Sequence, residues 1–334
     1  MSRLVFIDNE GITDPHVNLA IEEYALRYLD PRYTYLLFYV NEPSIIIGRN
    51  QNTLEEINQE YVREKGIHVV RRLSGGGAVY HDAGNLNFSF ITDYGADRLH
   101  NFELFTKPVA EVLREMGVDA QFSGRNDLVV DGRKVSGNAQ YSTTRRMFSH
   151  GTLLFDSDLA EVGRALNVKT GKIASKGHKS VRSRVANIAE YTEREMDVRT
   201  FRERLLRSIF HGGDVPLYRL TPADWEGVGR LLETRYGRWD WNVGASPPFE
   251  LHRTRRFPFG EIDVRLEVRR GRIEQIRIFG DFLGSASTRT LEDRLRGLPY
   301  DPEPLAQALR PLNLDSYFGV GAGDVFLDLL FGID

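Results

Sequence analysis

The sequence predicts an α+β protein: a mixed β-sheet flanked by helices, followed by a small α+β domain. Three observations carry this. Short β-rich runs alternate irregularly with amphipathic helical stretches over residues 4–236. The stretch NVGASPP at 242–248 is a linker candidate. Beyond it, two alternating strands and short helices form a tail of ordinary domain size. The expected domains are residues 1–245 and 246–334.

Residues 4–7 (LVFI) read as a first strand. Leu19, Ile21, Ala25, Leu26 and Leu29 are spaced for an amphipathic helix beginning near Asn18, with Glu22 and Glu23 in its early turns. Residues 35–40 and 44–47 are β-rich runs separated by Asn41, Glu42 and Pro43, a hairpin signal. Residues 54–65 form a helix ended by Gly66. Val69 and Val70 open a buried strand, and residues 86–90 are a second β-rich run. Residues 102–116 are helical up to Gly117. Residues 127–130 and 134–137 flank Asp131-Gly132, a strong hairpin dipeptide. Residues 152–155 follow as a strand, and 198–210 and 223–236 as helices, the latter with Thr221 as N-cap and Pro222 at the first helical position. In the tail, strands at 262–268 and 273–278 turn at Arg270 and Gly271, and two or three short helices finish the chain.

The totals narrow the function. The chain has 334 residues, and its 44 Lys and Arg against 47 Asp and Glu give a net charge of −3, which argues against a general nucleic-acid binder. It has no cysteine, so disulfides, cysteine nucleophiles and cysteine ligands are excluded. The N-terminus has acidic residues where a signal peptide needs an apolar run, and no segment has the length of a membrane span. The expected location is the cytoplasm.

Residues 69–90, VVRRLSGGGAVYHDAGNLNFSF, are the centre of the functional reading. Gly75, Gly76 and Gly77 give a backbone that turns sharply and approaches a ligand without Cβ interference. Successive N–H groups there can form an anion-binding concavity, and Arg72 offers a planar fork for carboxylate or phosphate. A glycine hairpin without a ligand is the other reading. A second cluster is RNDLVVDGRKVSG at 125–137. A hairpin can bring Lys134 close to Asn126 and Asp127, whose oxygens suit Mg²⁺. Turn capping and a solvated edge lysine are the alternatives. The third cluster, GKIASKGHKSVRSR at 171–184, is rich in small and basic residues and reads as a long functional loop or a solvated basic surface. A lone histidine such as His150 is more often structural than catalytic, and His81 and Asp82 fall on opposite faces of a strand. There is no metal-binding HxxxH, no GxSxG, no P-loop and no dinucleotide fingerprint opening a helix.

RRLSGGGAVYHDAGNLNFSF, GRNDLVVDGRKVSGNAQ, HGTLLF and KGHKSVRSRVANIAE, in this order, closely resemble the lipoate–protein ligase A family. NLAIEEYAL and the tail RRFPFGEIDVRLEVRRGRIEQIRIFGDFL resemble it too, so the likeness spans nearly the whole chain. It implies the biotin/lipoate ligase fold, a mixed sheet flanked by helices, with a fused accessory domain. It implies an ATP- and Mg²⁺-dependent enzyme that joins lipoate to AMP, releases pyrophosphate and passes the lipoyl group to a lysine. Acceptors would be lipoyl domains of 2-oxoacid dehydrogenase acyltransferase subunits or the glycine cleavage H protein, with no nucleic-acid or membrane partner and a monomeric enzyme. By resemblance, Arg72, Ser74, Gly75, Gly76, Gly77, Ala78, Val79 and Tyr80 wrap the nucleotide and lipoyl ends. Lys134 is the key lysine contacting lipoate and the α-phosphate, and Asn126 and Asp127 hold Mg²⁺. Asn85, Ser136, Gly137, His150 and Thr152 shape the pocket, and the 171–184 loop, with Lys176 and Ser180, binds the adenylate and closes over it. Alternatives of the same fold are an ATP-independent octanoyl- or lipoyltransferase, a non-catalytic lipoyl-domain binder and, more weakly, a biotin ligase.

Overall fold

The computed structural model describes residues 3–51, 53–124, 126–166, 184–192, 196–242, 251–269, 272–300, 302–323 and 325–331. Chain order is β1 (Arg3–Asp8), α1 (Pro15–Tyr28), β2 (Tyr33–Val40), β3 (Ser44–Ile47), α2 (Thr53–Glu56), α3 (Gln59–Lys65), β4 (His68–Arg71), β5 (Val79–His81), β6 (Asn85–Asp93) and α4 (Phe102–Glu115). There follow β7 (Gln121–Ser123), β8 (Asp127–Val130), β9 (Arg133–Ser142), β10 (Arg146–Leu154), α5 (Leu159–Ala165), α6 (Val198–Ile209), β11 (Leu217–Arg219), α7 (Pro222–Leu231) and α8 (Trp239–Asn242). The tail holds β12 (Leu251–Phe257), β13 (Gly260–Arg269), β14 (Arg272–Gly280), α9 (Thr288–Leu295), α10 (Pro302–Leu309), α11 (Asp315–Phe318) and α12 (Phe326–Phe331).

The chain forms two compact units that do not follow chain order: Ile47–Thr53 and Arg72–Ala78 belong with Gly244–Asp334, and the remainder makes the first unit. The first unit holds an eight-stranded sheet in the order β11-β1-β2-β6-β10-β9-β8-β7. β1 is parallel to β2 and β11, and the ladders from β2 onward are antiparallel, so the sheet is mixed. One face carries Phe6, Phe38, Phe88, Phe90 and Leu128 into a core shared with Phe105 and Val109 of α4 and Phe201 and Leu205 of α6. The expected Asp131-Gly132 hairpin forms with both residues left-handed, at φ 50° and 74°.

Several expectations are corrected. β2 and β3 are not a hairpin, because β3 pairs with β4 and β5 in a separate sheet. The intervening turn is bound elsewhere: Asn41 Oδ1 accepts from Asn18 Nδ2, and Glu42 N donates to the Thr13 carbonyl. The 54–65 helix is two short helices, since Asn58 N donates to Ala165 and its side chain caps α3 at Tyr61 N. α1 begins at Pro15 behind an Asp14 cap, which places Glu22 and Glu23 inside the helix and buries both. The edge strands β11 and β12 lack a strong apolar pattern and were not expected, and the tail has four helices rather than two or three among the described residues. Most of the 242–248 linker candidate lies outside the described residues.

A carboxylate fastens α7 to α1 and β11. Asp224 accepts from Thr221 N at 2.8 Å, Thr221 Oγ1 at 2.7 Å, Tyr218 OH at 2.9 Å and Tyr24 OH at 2.9 Å. Burial pushes its pKa up, but these hydrogen bonds outweigh it and hold the carboxyl below the usual range. A depressed folded-state pKa stabilises above the unfolded value and is lost as pH falls through the folded one. Asp224→Asn should therefore lower stability by about 1–2 kcal/mol at pH 7. The deficit should shrink below about pH 4. Thermal melts at both pH values check this, and an unchanged Tm at pH 7 contradicts it.

In the second unit, Ile262, Val264, Leu266, Ile273, Ile276 and Ile278 face Leu291, Leu295, Phe318 and Phe326 in a core of its own. The glycine loop is hydrogen-bonded within this unit: Gly76 N donates to the Phe282 carbonyl at 3.0 Å, and Gly280 N to that of Asn50 at 2.6 Å.

Candidate active site

The predicted site residues fall into two groups, one in each compact unit. In the second unit, Arg72 is 5% exposed and turns its guanidinium onto its own loop. Nη2 donates to the carbonyls of Gly75 at 2.7 Å and Gly77 at 2.8 Å, and Nε to Ser74 Oγ at 3.0 Å. Arg72 thus braces the glycine turn through its carbonyls. Gly76 needs its glycine, with φ at +93°, and a Cβ on Gly75 would stand 2.3 Å from the Phe282 carbonyl oxygen. A Cβ on Gly77 would meet nothing nearer than 3.8 Å. Ala78 follows as the last residue of this segment.

The first unit carries the second group. β5 follows with Val79 and Tyr80, and burial together with the Asp82 charge pushes the Tyr80 phenol up to about 12, so it stays neutral. The β8–β9 hairpin brings Lys134 Nζ to 2.8 Å from Asp127 Oδ1. Asp127 pairs with Gly137, and a Cβ on Gly137 would stand 2.7 Å from Lys134 Nζ, so the lysine lies over bare backbone. Gly137 N donates to Thr152 Oγ1 at 3.3 Å. A bulge between Leu128 and Val129 shifts the register around Lys134. Lys134 N also donates to the Arg184 carbonyl at 2.8 Å, and Ala186 N to that of Lys134 at 3.0 Å. The lysine backbone is therefore clamped by the chain that leaves the basic stretch. Lys176 and Ser180 lie outside the described residues.

Across the sheet, Thr152 pairs with Asn87, His150 with Ser89 and Leu154 with Asn85, so these side chains share one face. Asn85, Asn87 and Ser89 are buried there. Asn87 Nδ2 donates to the Tyr39 carbonyl and Asn85 Nδ2 to Asn87 Oδ1, at 3.2 and 3.0 Å. Asn85 Oδ1 and Ser89 Oγ have no hydrogen-bond partner among the described residues. Each such group costs about 1–3 kcal/mol when it stays unpaired. A buried polar stripe of this kind is suited to a bound polar molecule. His150 Nδ1 lies 2.8 Å from Glu22 Oε1, a buried pair that fixes the ring to α1. Ser136 does not share this face: it pairs with Leu128, on the side of the apolar core, where its Oγ accepts from Asn138 Nδ2 at 3.3 Å.

Glu22, Asn87 and Ser89 were not picked out from the sequence. NLNFSF reads from its sequence only as a β-rich run, and the burial of both faces is seen in the structure. Glu22 sits in a helix where acids are ordinary.

For Mg²⁺, the residues present fit. Among the described residues no three His, Cys, Asp or Glu side chains cluster, but this ion needs only one or two carboxylates beside substrate phosphates. Asn126 Nδ2 donates to the Asn138 carbonyl, which turns its amide oxygen to the other side, and Asp127 supplies the carboxylate.

The first unit thus presents a buried polar sheet face and a lysine–carboxylate pair. The lipoyl protein ligase A/B catalytic domain model matches residues 14–210, and the bacterial lipoate protein ligase C-terminus model matches 246–330. The chain belongs to the lipoate–protein ligase family, a family of enzymes. It is 56% identical to the lipoate-protein ligase LplJ of Bacillus subtilis, over 98% of this chain and 100% of that one. Its fold matches P. falciparum LipL1 in complex with lipoate at 25% identity and a TM-score of 0.75, covering 93% of this chain and 95% of that one. It also matches a lipoate-protein ligase A bound with ATP at 27% identity and a TM-score of 0.62, covering 73% of this chain and 98% of that one.

Proposed function

We propose that the chain ligates free lipoate to a lysine of lipoyl-domain proteins in two steps, and that the lysine–carboxylate pair on the polar face carries the chemistry. The carboxylate oxygen of lipoate attacks the α-phosphorus of ATP, and the bond to pyrophosphate breaks with its electron pair. The acceptor's ε-amine then attacks the acyl carbon of the adenylate, AMP leaves and the amine loses a proton. The observation that supports this best is Lys134 Nζ, held 2.8 Å from Asp127 over the bare backbone of Gly137.

Lys134 is a fixed positive charge for the lipoate carboxylate and α-phosphate, most useful as negative charge shifts between them. Asn126 and Asp127 would hold Mg²⁺, which when bound neutralises phosphate charge. Asn85 and Thr152 offer polar groups from the sheet, and His150, fastened by Glu22, completes that face. A Cβ on Gly77 would meet nothing nearer than 3.8 Å, so that side of its backbone is open to a ligand. Ser74 and Arg72 act indirectly, by setting the turn. Lys176 and Ser180 are assigned to the adenylate by resemblance alone. The acceptors are lipoyl domains of 2-oxoacid dehydrogenases or the glycine cleavage H protein, and the enzyme works as a monomer in the cytoplasm. No helix among the described residues is long and apolar enough to cross a membrane.

Mass spectrometry of a lipoyl domain incubated with the protein, ATP, Mg²⁺ and lipoate tests this. One lipoyl adduct per domain, together with pyrophosphate, is expected. Modification from an octanoyl thioester donor without ATP would instead make the chain a transferase, and lipoate binding without turnover would make it a binder.

A further inference from the structure

Three side-chain amides in series end on the ring of His81. The carbonyl of Ile12 can only accept, and it meets Asn9 Nδ2 at 3.0 Å and Asn18 Nδ2 at 2.9 Å, so both atoms are amide nitrogens. Asn18 Oδ1 then accepts from Asn9 Nδ2 at 2.9 Å, and Asn18 Nδ2 gives its second hydrogen to Asn41 Oδ1 at 3.0 Å. This leaves Asn41 Nδ2 facing His81 Nδ1 at 3.0 Å. An amide nitrogen only donates, so Nδ1 is the bare, accepting nitrogen and the ring hydrogen sits on Nε2. All four side chains are buried, so water does not compete for these bonds.

We propose that the Asn9–Asn18–Asn41 chain holds His81 as a neutral imidazole with its hydrogen on Nε2, and that Asn41 is thereby a positioning residue for acyl activation. His81 ends β5, the strand into which the glycine loop runs. A neutral ring N–H stabilises negative charge developing on an acyl oxygen without itself being ionised. A doubly protonated ring would set an N–H against the Asn41 amine. The use of the ring in activation rests on the ligase reading, whereas its tautomer does not.

The test uses the full chain labelled with nitrogen-15 histidine, its long-range proton–nitrogen spectrum recorded at pH 7. The His81 signals are identified by their loss in His81→Gln. One protonated nitrogen, Nε2, is expected, and a hydrogen on Nδ1 overturns the proposal whatever any Asn41 variant does. In Asn41→Asp the carboxylate accepts in place of the amine, and the hydrogen moves to Nδ1. Lipoate-dependent ATP–pyrophosphate exchange should then fall about tenfold or more in kcat, with KM for ATP unchanged. Exchange within about twofold of the unmodified enzyme, with the tautomer switched, refutes the positioning role. If the unmodified enzyme shows no exchange, the ligase reading falls and acyl activation falls with it, while the spectrum still decides the tautomer.

Discussion

Lys134→Ala lowers lipoyl-adenylate formation by at least about a hundredfold, the scale seen when one preorganised donor to developing charge is removed. The loss falls on kcat more than on KM, because the lysine charge interacts most strongly when negative charge is moving between carboxylate and phosphate. Stability changes little. Lys134 and Asp127 are each about one-third exposed, at 35% and 34%. Exposed ion pairs contribute at most about 1 kcal/mol, so Tm should shift by no more than roughly 4 °C. Lys134→Arg should not restore activity, since a planar fork cannot take the place of a compact ammonium over Gly137. Pyrophosphate release and a melting curve on the same preparation check both halves. Activity within about threefold of the unmodified enzyme would end the assignment of Lys134 as the central charge.

Parts of this site were legible in the sequence because they depend on local chemistry. Asp131 and Gly132 dictate a hairpin wherever the chain goes, and the hairpin alone brings Lys134 back to Asp127. Other parts depend on what the chain later folds against. Asn85, Asn87 and Ser89 look like the wet side of an ordinary strand until α1 and the neighbouring strands bury them. Glu22 gains its meaning from His150, far along the chain. Asn41, Glu42 and Pro43 spell a hairpin, yet Asn41 and Glu42 are bound to α1 and the loop before it. Ser136 shows the converse. Its motif matches, but strand alternation puts it on the core side of β9, where its Oγ accepts from Asn138 Nδ2.

Gly75, Gly76 and Gly77 separate by experiment, although the sequence makes them alike. Gly75→Ala should cost about 1–3 kcal/mol or more, because its Cβ would stand 2.3 Å from the Phe282 carbonyl, a backbone atom that cannot swing away. Gly76→Ala should cost a similar amount for two reasons, a left-handed φ of +93° and a Cβ 2.9 Å from Arg72 Nη2. Gly77→Ala should leave Tm unchanged or slightly raised, since its nearest neighbour would be 3.8 Å away and alanine restricts the unfolded chain. The fold therefore requires the first two glycines and gives no reason for the third. A glycine the fold does not need is suited to backbone approached by a ligand. Gly77→Ala should accordingly raise KM for ATP or lipoate by about tenfold, the effect of about 1.4 kcal/mol of lost contact, while the protein stays fully folded. Steady-state kinetics on the three variants beside their melting curves decide this. A Gly77→Ala enzyme with unaltered KM values would show that the ligand does not reach the loop at that position, and the triple glycine would then serve the packing of its own unit alone.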